Sequence, residues 1–413
     1  MSKITKYALS DLYDMSSGLS SKKEQAGHGA PFVPFGTVFN NYFLPEELPD
    51  LMDTNEKEQQ IYSIKVGDVL ITRTSETIDE LAMSCVAVKD YPKATYSGFT
   101  KRLRPKREGI AYPKYMAFYF RSALFRKAVT NNAFMTLRAS FNEDIFTFLD
   151  VYLPDYDEQV RIGDMLYNIE CKIQKNKEIN DYLEEMAKTI YNYWFIQFEF
   201  PDENGKPYKS SGGKMSFCNE LNREIPQNWN YTSIGNITIC LDSERIPLSN
   251  QQREGMKGSI PYYGATGIMD YVNRPIFSGN FVLLAEDGSV MDDNGNPILQ
   301  RVSGDVWINN HTHVLQPVKG YSCRLLYLLL KDIPVSIIKT GSIQMKINQA
   351  NLNNYNILSI PDAIRTQFIN CVEPLDTKIM QIQQENNNLI QFRDWLLPML
   401  MNGQATIEDC CDK

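Results

Sequence analysis

Residues 155–196, DYDEQVRIGDMLYNIECKIQKNKEINDYLEEMAKTIYNYWFI, place apolar side chains at alternating steps of four and three. That spacing predicts a long helix with one seam, because steps of four and three return to the same helix face. The seam runs through Ile162, Leu166, Ile169, Ile173, Asn176, Asn180, Leu183, Ala187, Ile190 and Trp194, with charged residues filling the other positions. It returns 206 residues later as Phe368, Val372, Leu375, Ile379, Ile382, Asn386, Leu389, Arg393, Leu396 and Leu400. The chain is therefore an internal repeat. From Ile162 to Trp194 such a helix is roughly 48 Å long.

Asn180 and Asn386 occupy the same place in the two seams, and a buried asparagine in a coiled coil fixes register at a cost in stability. Two similar domains related by a pseudo-twofold axis leave opposite ends of the rod, so the helices are expected to pair antiparallel with these asparagines close together. Each helix is announced by a strand-like run ending in proline and aspartate, VYLPD at 151–155 and LSIPD at 358–362. Proline stops the strand and aspartate caps the helix. Glu158 completes a capping box with Asp155, whereas Arg365 stands at that place in the second copy. Pro374 predicts a kink or break near 370–374.

The 413 residues are too many for one core. No apolar run is long enough to cross a bilayer, and MSKITKYALSDL lacks the apolar stretch of a signal peptide, which points to the cytoplasm. Eight scattered cysteines without a CxxC pair suit reduced thiols, and Cys410 and Cys411 read as incidental. The net charge of −8 argues against nucleic acid until it is divided. Residues 155–200 hold 5 basic and 10 acidic residues and 361–413 hold 4 and 8, against 19 and 18 in 1–154 and 14 and 14 in 201–360. Acidity is thus concentrated in the helices. Residues 89–138 carry twelve Lys or Arg against Asp90 and Glu108 alone. A field of that size is expected to meet phosphate. Lys101, Arg102, Arg104, Lys106 and Arg107 are the predicted phosphate contacts, with Arg73 or Arg138 nearer the bases, and Lys339 and Lys346 are the candidates in the second half.

Within the first domain, SSGLSSKKEQAGHGA reads as loop leading into a strand at 31–35. Further strands are expected in VGDVLITRTS, SCVAVKDY and YSGFTKRLRP, and a helix near 113–129 with Tyr115, Met116, Tyr119, Phe120, Ala123 and Leu124 on its apolar face. Residues 200–229 have the Gly, Pro and Ser density of a connector. Beyond them, SIPYYGATGI at 259–268 loosely matches PFVPFGTV at 31–38, and SGNFVLLAED matches VGDVLITRT. The two domains are expected to share a fold and present different surfaces.

Catalytic motifs are missing. SSGGKM has Tyr208 where a phosphate-binding loop needs its first glycine and Met215 where it needs Ser or Thr. No glycine-rich cofactor fingerprint follows a strand, and Asn296 and Pro297 continue with Ile298 rather than an amino-methyltransferase motif. His311 and His313 lack a clustered cysteine or carboxylate in sequence, so they read as structural. Pro154, Asp155, Glu170 and Lys172 have the spacing of a metal-dependent nuclease, and Pro361, Asp362, Asp376 and Lys378 echo it. Asp155 and Glu170, however, lie roughly 22 Å apart along one helix and cannot share an ion.

LPDYDEQVRIGDMLYNIECKIQKNKEINDYLEEMAKTIYNYWF, PYKSSGGKM, IPQNW, GSIQMKINQANLNNYNILSIP and LLPMLMNG, in that order, resemble the specificity subunit of type I restriction-modification systems. The resemblance covers nearly the whole chain. It implies an α+β fold: two similar mixed α/β target-recognition domains separated by two long antiparallel coiled-coil helices, with a pseudo-twofold repeat. The expected division is 1–154 and 230–360 for the domains, 155–199 and 361–403 for the helices, 200–229 for the linker and 404–413 for a tail.

By the same resemblance each domain reads half of an asymmetric, bipartite double-stranded DNA target, and the helices dock two modification and two restriction subunits. S-adenosylmethionine, ATP and Mg then belong to those partners, and this chain carries no catalytic or metal site. Pro374, Arg393 and the first domain's few family strings depart from the pattern. The outward large apolar residues Tyr182, Met186, Tyr191, Tyr193, Phe195, Phe392 and Trp395 exceed what a narrow seam buries, and some are expected to lie exposed and meet a partner. The rival reading is a coiled-coil adaptor without DNA affinity, which has no need of the basic stretch.

Overall fold

The computed structural model describes residues 4–132, 139–341 and 345–407. It divides into two compact units, 1–176 with 385–413, and 177–384. Each contains a mixed α/β domain and one half of the helix pair. No described helix is long and apolar enough to cross a membrane.

The central helix spans Tyr156–Tyr191 and ends in a wide π turn, Asn192–Ile196; the C-terminal helix spans Asp362–Met401. Asp155 accepts the Glu158 backbone N–H at 2.9 Å, so the cap forms as its sequence dictates. The reciprocal half of the box does not, because the Glu158 carboxylate is held by Arg161 and by the Ile407 N–H. At the second start, Arg365 reaches Asp362 and the carbonyls of Ile360 and Gly320. The expected break near Pro374 is absent. Asn370 and Pro374 both face solvent, where water can serve the carbonyl that proline leaves without a donor.

Pairing within each unit is antiparallel. In the first, Glu170 meets Arg393 at 2.7 Å and Asn176 meets Asn386 at 2.8 Å; in the second, Glu184 and Asp376 share Arg324, and Tyr191 packs on Phe368. All the predicted seam residues are buried or half-buried: Ile162, Leu166, Ile169, Ile173, Asn180, Leu183 and Ile190 on one helix, Val372, Leu375, Ile379, Ile382, Asn386, Leu389 and Leu396 on the other. Asn180 and Asn386 each bond other partners. Asn386 bonds Asn176 and the Ile173 carbonyl, while Asn180 reaches only the Ile379 carbonyl at 3.5 Å and its own Oδ1 is buried without a partner. In an antiparallel pair, equivalent positions of a repeat meet only at its midpoint; here Asn386 faces Asn176, one turn before Asn180.

Both domains follow one strand plan. In the first, Tyr13–Ser17, Thr100–Pro105, Val69–Thr72 and Ser84–Val86 form an antiparallel sheet; beside it Ala26–Val33 pairs antiparallel with Leu51–Met52 and parallel with Thr95–Tyr96. In the second, Thr238–Cys240, Thr312–Pro317, Phe277–Ala285 and Leu299–Ile308 repeat that order, and Lys257–Gly264 likewise has an antiparallel neighbour, Gly267–Val272, and a parallel one. Pro31-Phe32-Val33 and Pro261-Tyr262-Tyr263 make the equivalent parallel pairings.

Three local expectations change. The strand predicted at 31–35 runs Ala26–Val33, since Pro34 cannot donate to the ladder and instead begins a short helix, Phe35–Asn40. The helix predicted at 113–129 is two, Pro113–Tyr119 and Ala123–Asn132, hinged where the Ser122 hydroxyl donates to the Tyr119 carbonyl and accepts from the Phe125 N–H. Leu124, placed on the apolar face, is exposed. The segment 200–229 is folded rather than a tether: Met215–Cys218 and Arg223–Pro226 form a hairpin, and Phe200 stacks on both Tyr208 and Trp229 at 4.8 Å. Its aromatic residues bury enough apolar area to join the second unit's core.

Candidate nucleic-acid interface

Much of the basic stretch is turned toward the protein itself. Arg102 is only 8% exposed and donates to the carbonyls of Ile61 and Ser63; Arg104 makes a forked pair with the buried Asp68. They sit on the strand Thr100–Pro105, where Arg104 meets a carboxylate and Arg102 the carbonyls of Ile61 and Ser63. Both are thus withdrawn from the predicted phosphate contacts. Lys106 bonds the Ser10 carbonyl and approaches Asp14, Lys114 bonds Asp164, and Arg121 collects the carbonyls of Ser84, Val38, Phe39 and Asn41. A guanidinium has five donors, so it can close a loop that offers several unpaired carbonyls. Positive charge in this sequence was accordingly a signal of loop closure as well as of a field.

Four predicted cations remain at the surface. Arg73, Lys106 and Arg107 are exposed and Lys101 is half-buried, its ammonium pKa pushed down by burial, raised by Glu143 and lowered by the neighbouring Arg73. Arg138 lies outside the described residues. In the second unit Lys346 is exposed and pairs with Glu286 at 2.8 Å, while Lys339 is half-buried against Met345.

Backbone hydrogen bonds align the two domains residue for residue at this edge. Arg73 N–H donates to the Phe99 carbonyl, and the Arg73 carbonyl accepts from Phe141; Glu286 N–H donates to the His311 carbonyl, and the Glu286 carbonyl accepts from Ile347. Arg73 corresponds to Glu286, and Phe99 to His311. The first edge carries a cation and an aromatic ring, the second a carboxylate and an imidazole. Phe99 was not singled out by sequence, since one phenylalanine in SGFTK is indistinguishable from a core residue; its 65% exposure appears only in the fold.

Behind the second edge lies a polar cluster that sequence distance concealed. His313 Nδ1 stands 2.5 Å from Asp242, its Nε2 3.0 Å from the Ile347 carbonyl, and Cys240 and Glu286 lie beside it. The expectation that His313 lacks a cysteine or carboxylate neighbour is thereby overturned. Sγ, carboxylate and ring nitrogen fall within 4.8 Å of one another, a set that could in principle hold a metal ion. Arg245 and Lys346 already neutralise the carboxylates, which disfavours a dication there. A ring that faces a carboxylate on one side and a carbonyl on the other can donate to both only when each nitrogen carries a proton, which favours the imidazolium. Burial alone would lower its pKa; the Asp242 bond and charge raise it. The Cys240 thiol is pushed up to about 12 by burial and Asp242.

Among the proposed partner-facing residues, Tyr182, Met186, Tyr193, Phe392 and Trp395 are exposed, Tyr182 by 69% and Trp395 by 64%. Tyr191 and Phe195 are not: both are buried against Phe368. The nuclease-like spacing dissolves, since Glu170 is taken by Arg393 and Gln174, and Asp155 caps its helix.

The description of a type I restriction modification DNA specificity domain matches residues 1–185 and 226–391. A type I restriction enzyme MjaIX specificity subunit from Methanocaldococcus jannaschii is 24% identical over 375 residues, 86% of this chain and 81% of that one. A putative type I restriction enzyme specificity subunit from Haemophilus influenzae is 32% identical over 139 residues, 34% and 35% of the respective chains. The crystal structure of a type I restriction-modification S subunit from M. genitalium shares the fold, with a TM-score of 0.58 at 14% identity, covering 97% of this chain and 96% of the other.

Proposed function

The chain belongs to the type I restriction-modification DNA specificity family, and on that premise we propose that it reads an asymmetric bipartite DNA target, one part with each unit. The observation that carries this reading is the pair of edges that share a backbone pattern and differ in side chain, Arg73 with Phe99 against Glu286 with His311. Arginine can bond guanine O6 and N7 in the major groove, whereas the second edge, with Glu286 buried behind Arg245 and Lys346, presents His311, so unlike edges select unlike bases. Arg73 is the base-reading candidate in the first unit, with Lys101 and Arg107 as phosphate contacts and Lys346 and Lys339 as their counterparts in the second.

The chain supplies the address and no chemistry of its own. Modification subunits, two per chain, dock on the exposed faces around Tyr182, Met186, Phe392 and Trp395, and bring S-adenosylmethionine; two restriction subunits bring ATP and Mg-dependent translocation and cleavage, in the cytoplasm. Exposed large apolar residues at helical spacing support such docking. The test is co-expression with candidate modification subunits followed by adenine-methylation mapping. The expected result is methylation at one split motif with two unlike halves. Stable association without sequence-specific methylation would overturn it.

A further inference from the structure

Phe99 is held in water by a turn built to hold it there. The Phe99 N–H bonds the Ser97 hydroxyl at 3.2 Å, and Thr100 bonds the Ser97 carbonyl through both its N–H and its hydroxyl. Gly98 N–H bonds the Leu19 carbonyl at 2.7 Å, so close that a Cβ on Gly98 would meet that oxygen at 2.9 Å. A ring fixed in this way cannot fold back onto the core, and its exposed apolar surface is costly unless something covers it.

The surroundings narrow what that is. Phe35 and Phe39, with ring centroids 5.8 Å apart, form with Phe99 an aromatic cleft that Thr74, Ser75, Glu76 and Glu80 complete. The Glu80 carboxylate makes the cleft a poor seat for phosphate. Arg73, hydrogen-bonded to Phe99 through the backbone, and Lys101 nearby give the adjoining surface the charge that draws a nucleic acid backbone. Cations beside an apolar, phosphate-repelling cleft match the cross-section of a major groove, where base edges lie between the backbones. The apolar group on a base edge there is the C5-methyl of thymine.

We propose that Phe99 is a specificity-determining residue that packs on the C5-methyl group of a thymine in the part of the DNA target read by the first unit, beside Arg73. This rests on the chain being a DNA-reading subunit and adds a base to that reading. The apolar contact requires the methyl group and no hydrogen bond, so the ring distinguishes thymine from the otherwise identical uracil.

The experiment uses the assembled methyltransferase and its mapped target, with each thymine of the first half-site replaced singly by deoxyuridine. One such replacement is expected to weaken wild-type binding about 4-fold, the worth of one buried methyl. Phe99→Ala should weaken binding to the thymine duplex and erase the difference at that position alone, and Phe99→Leu should restore part of it. Because the side chain is exposed, Phe99→Ala should keep the wild-type melting temperature. An equal deoxyuridine effect in wild type and Phe99→Ala overturns the proposal, as does a first half-site with no methyl-sensitive position. Phe99→Ala that spares DNA binding but weakens association with the modification subunit would put the ring in a protein contact and overturn it too. A wild-type complex without sequence preference would instead sink the functional reading itself.

Discussion

The two units carry the same strands in the same order, yet at the equivalent edges and in the helix halves their side chains differ in kind. The first edge is Arg73 and Phe99, both exposed; the second is Glu286 and His311, of which Glu286 is buried under Arg245 and Lys346. The helix halves differ as well. The first closes on the amide pair Asn176 and Asn386, the second on a charged cluster of Glu184, Arg301, Arg324 and Asp376. A shared backbone thus supports unlike chemistry, because strand pairing uses main-chain groups that every residue owns. Selection can change an edge without changing the plan.

The largest expected break of this comparison is in the second unit. Arg324 is fully buried between Glu184 and Asp376, and removing one partner of a buried pair leaves charge without solvent or counter-ion. Arg324→Met should destabilise the second unit by about 3–5 kcal/mol in denaturant unfolding. Asn386→Leu in the first unit removes one amide of the pair, leaves Asn176 bonded to Glu385, and should cost about 1 kcal/mol while loosening helix register. Equal losses would mean that the two helix halves are held by the same forces.

Next comes the first edge. Arg73→Ala should cost about 1–3 kcal/mol on the cognate target and little on random DNA, with preference relaxed in the first half-site alone. Relaxation in both half-sites would show that Arg73 positions the complex rather than reading a base. A smaller effect separates surface cations from inward ones. Lys101→Ala or Arg107→Ala should each flatten the dependence of log affinity on log salt by about 0.9. Arg102→Ala should leave that slope intact and lower the melting temperature, because its guanidinium holds the carbonyls of Ile61 and Ser63. A changed slope with unchanged melting would return Arg102 to the DNA surface.

The plan of the fold was legible because it is written in repeated local signals. Seam spacing, Pro-Asp helix starts and the recurrence after 206 residues each need only sequence neighbours to interpret. Where partners came from afar the reading failed. Arg104 meets Asp68 across two strands and His313 meets Asp242 across 71 residues, so a charge that looked free in the chain was committed in the fold. The partner of Asn386 was hidden for another reason, since a repeat defines equivalent positions and antiparallel register decides that Asn176 faces it. The hairpin in 200–229 was hidden by its own glycines and prolines, which mark turns within a folded piece as readily as a tether.

The smallest effect concerns His313, and its sign follows from its partners. Asp242 and Glu286 face the ring, Arg245 and Lys346 face those carboxylates, and Cys240 completes the surroundings. The folded-state pKa is raised above the ordinary 6.5, so the stabilisation is fully present below that value and is lost as pH rises through the folded pKa. Asp242 acts oppositely: its pKa is held below 3.8, and its contribution fades only as pH falls through that lowered value. In the intervening range both bonds stand. His313 pairs with Leu284 as Lys101 pairs with Ile71, so the first unit has an ammonium where the second has this imidazole. Of the four tryptophans, Trp194, Trp229 and Trp307 lie in the second unit, so tryptophan fluorescence reports mainly on it. Its melting midpoint should fall between pH 6 and pH 9 by on the order of 2–4 °C beyond the drift of the His313→Gln variant, which has no proton to lose. Parallel pH profiles for the two proteins would show that the ring is neutral and that Asp242 is held by Arg245 and the Val314 N–H alone.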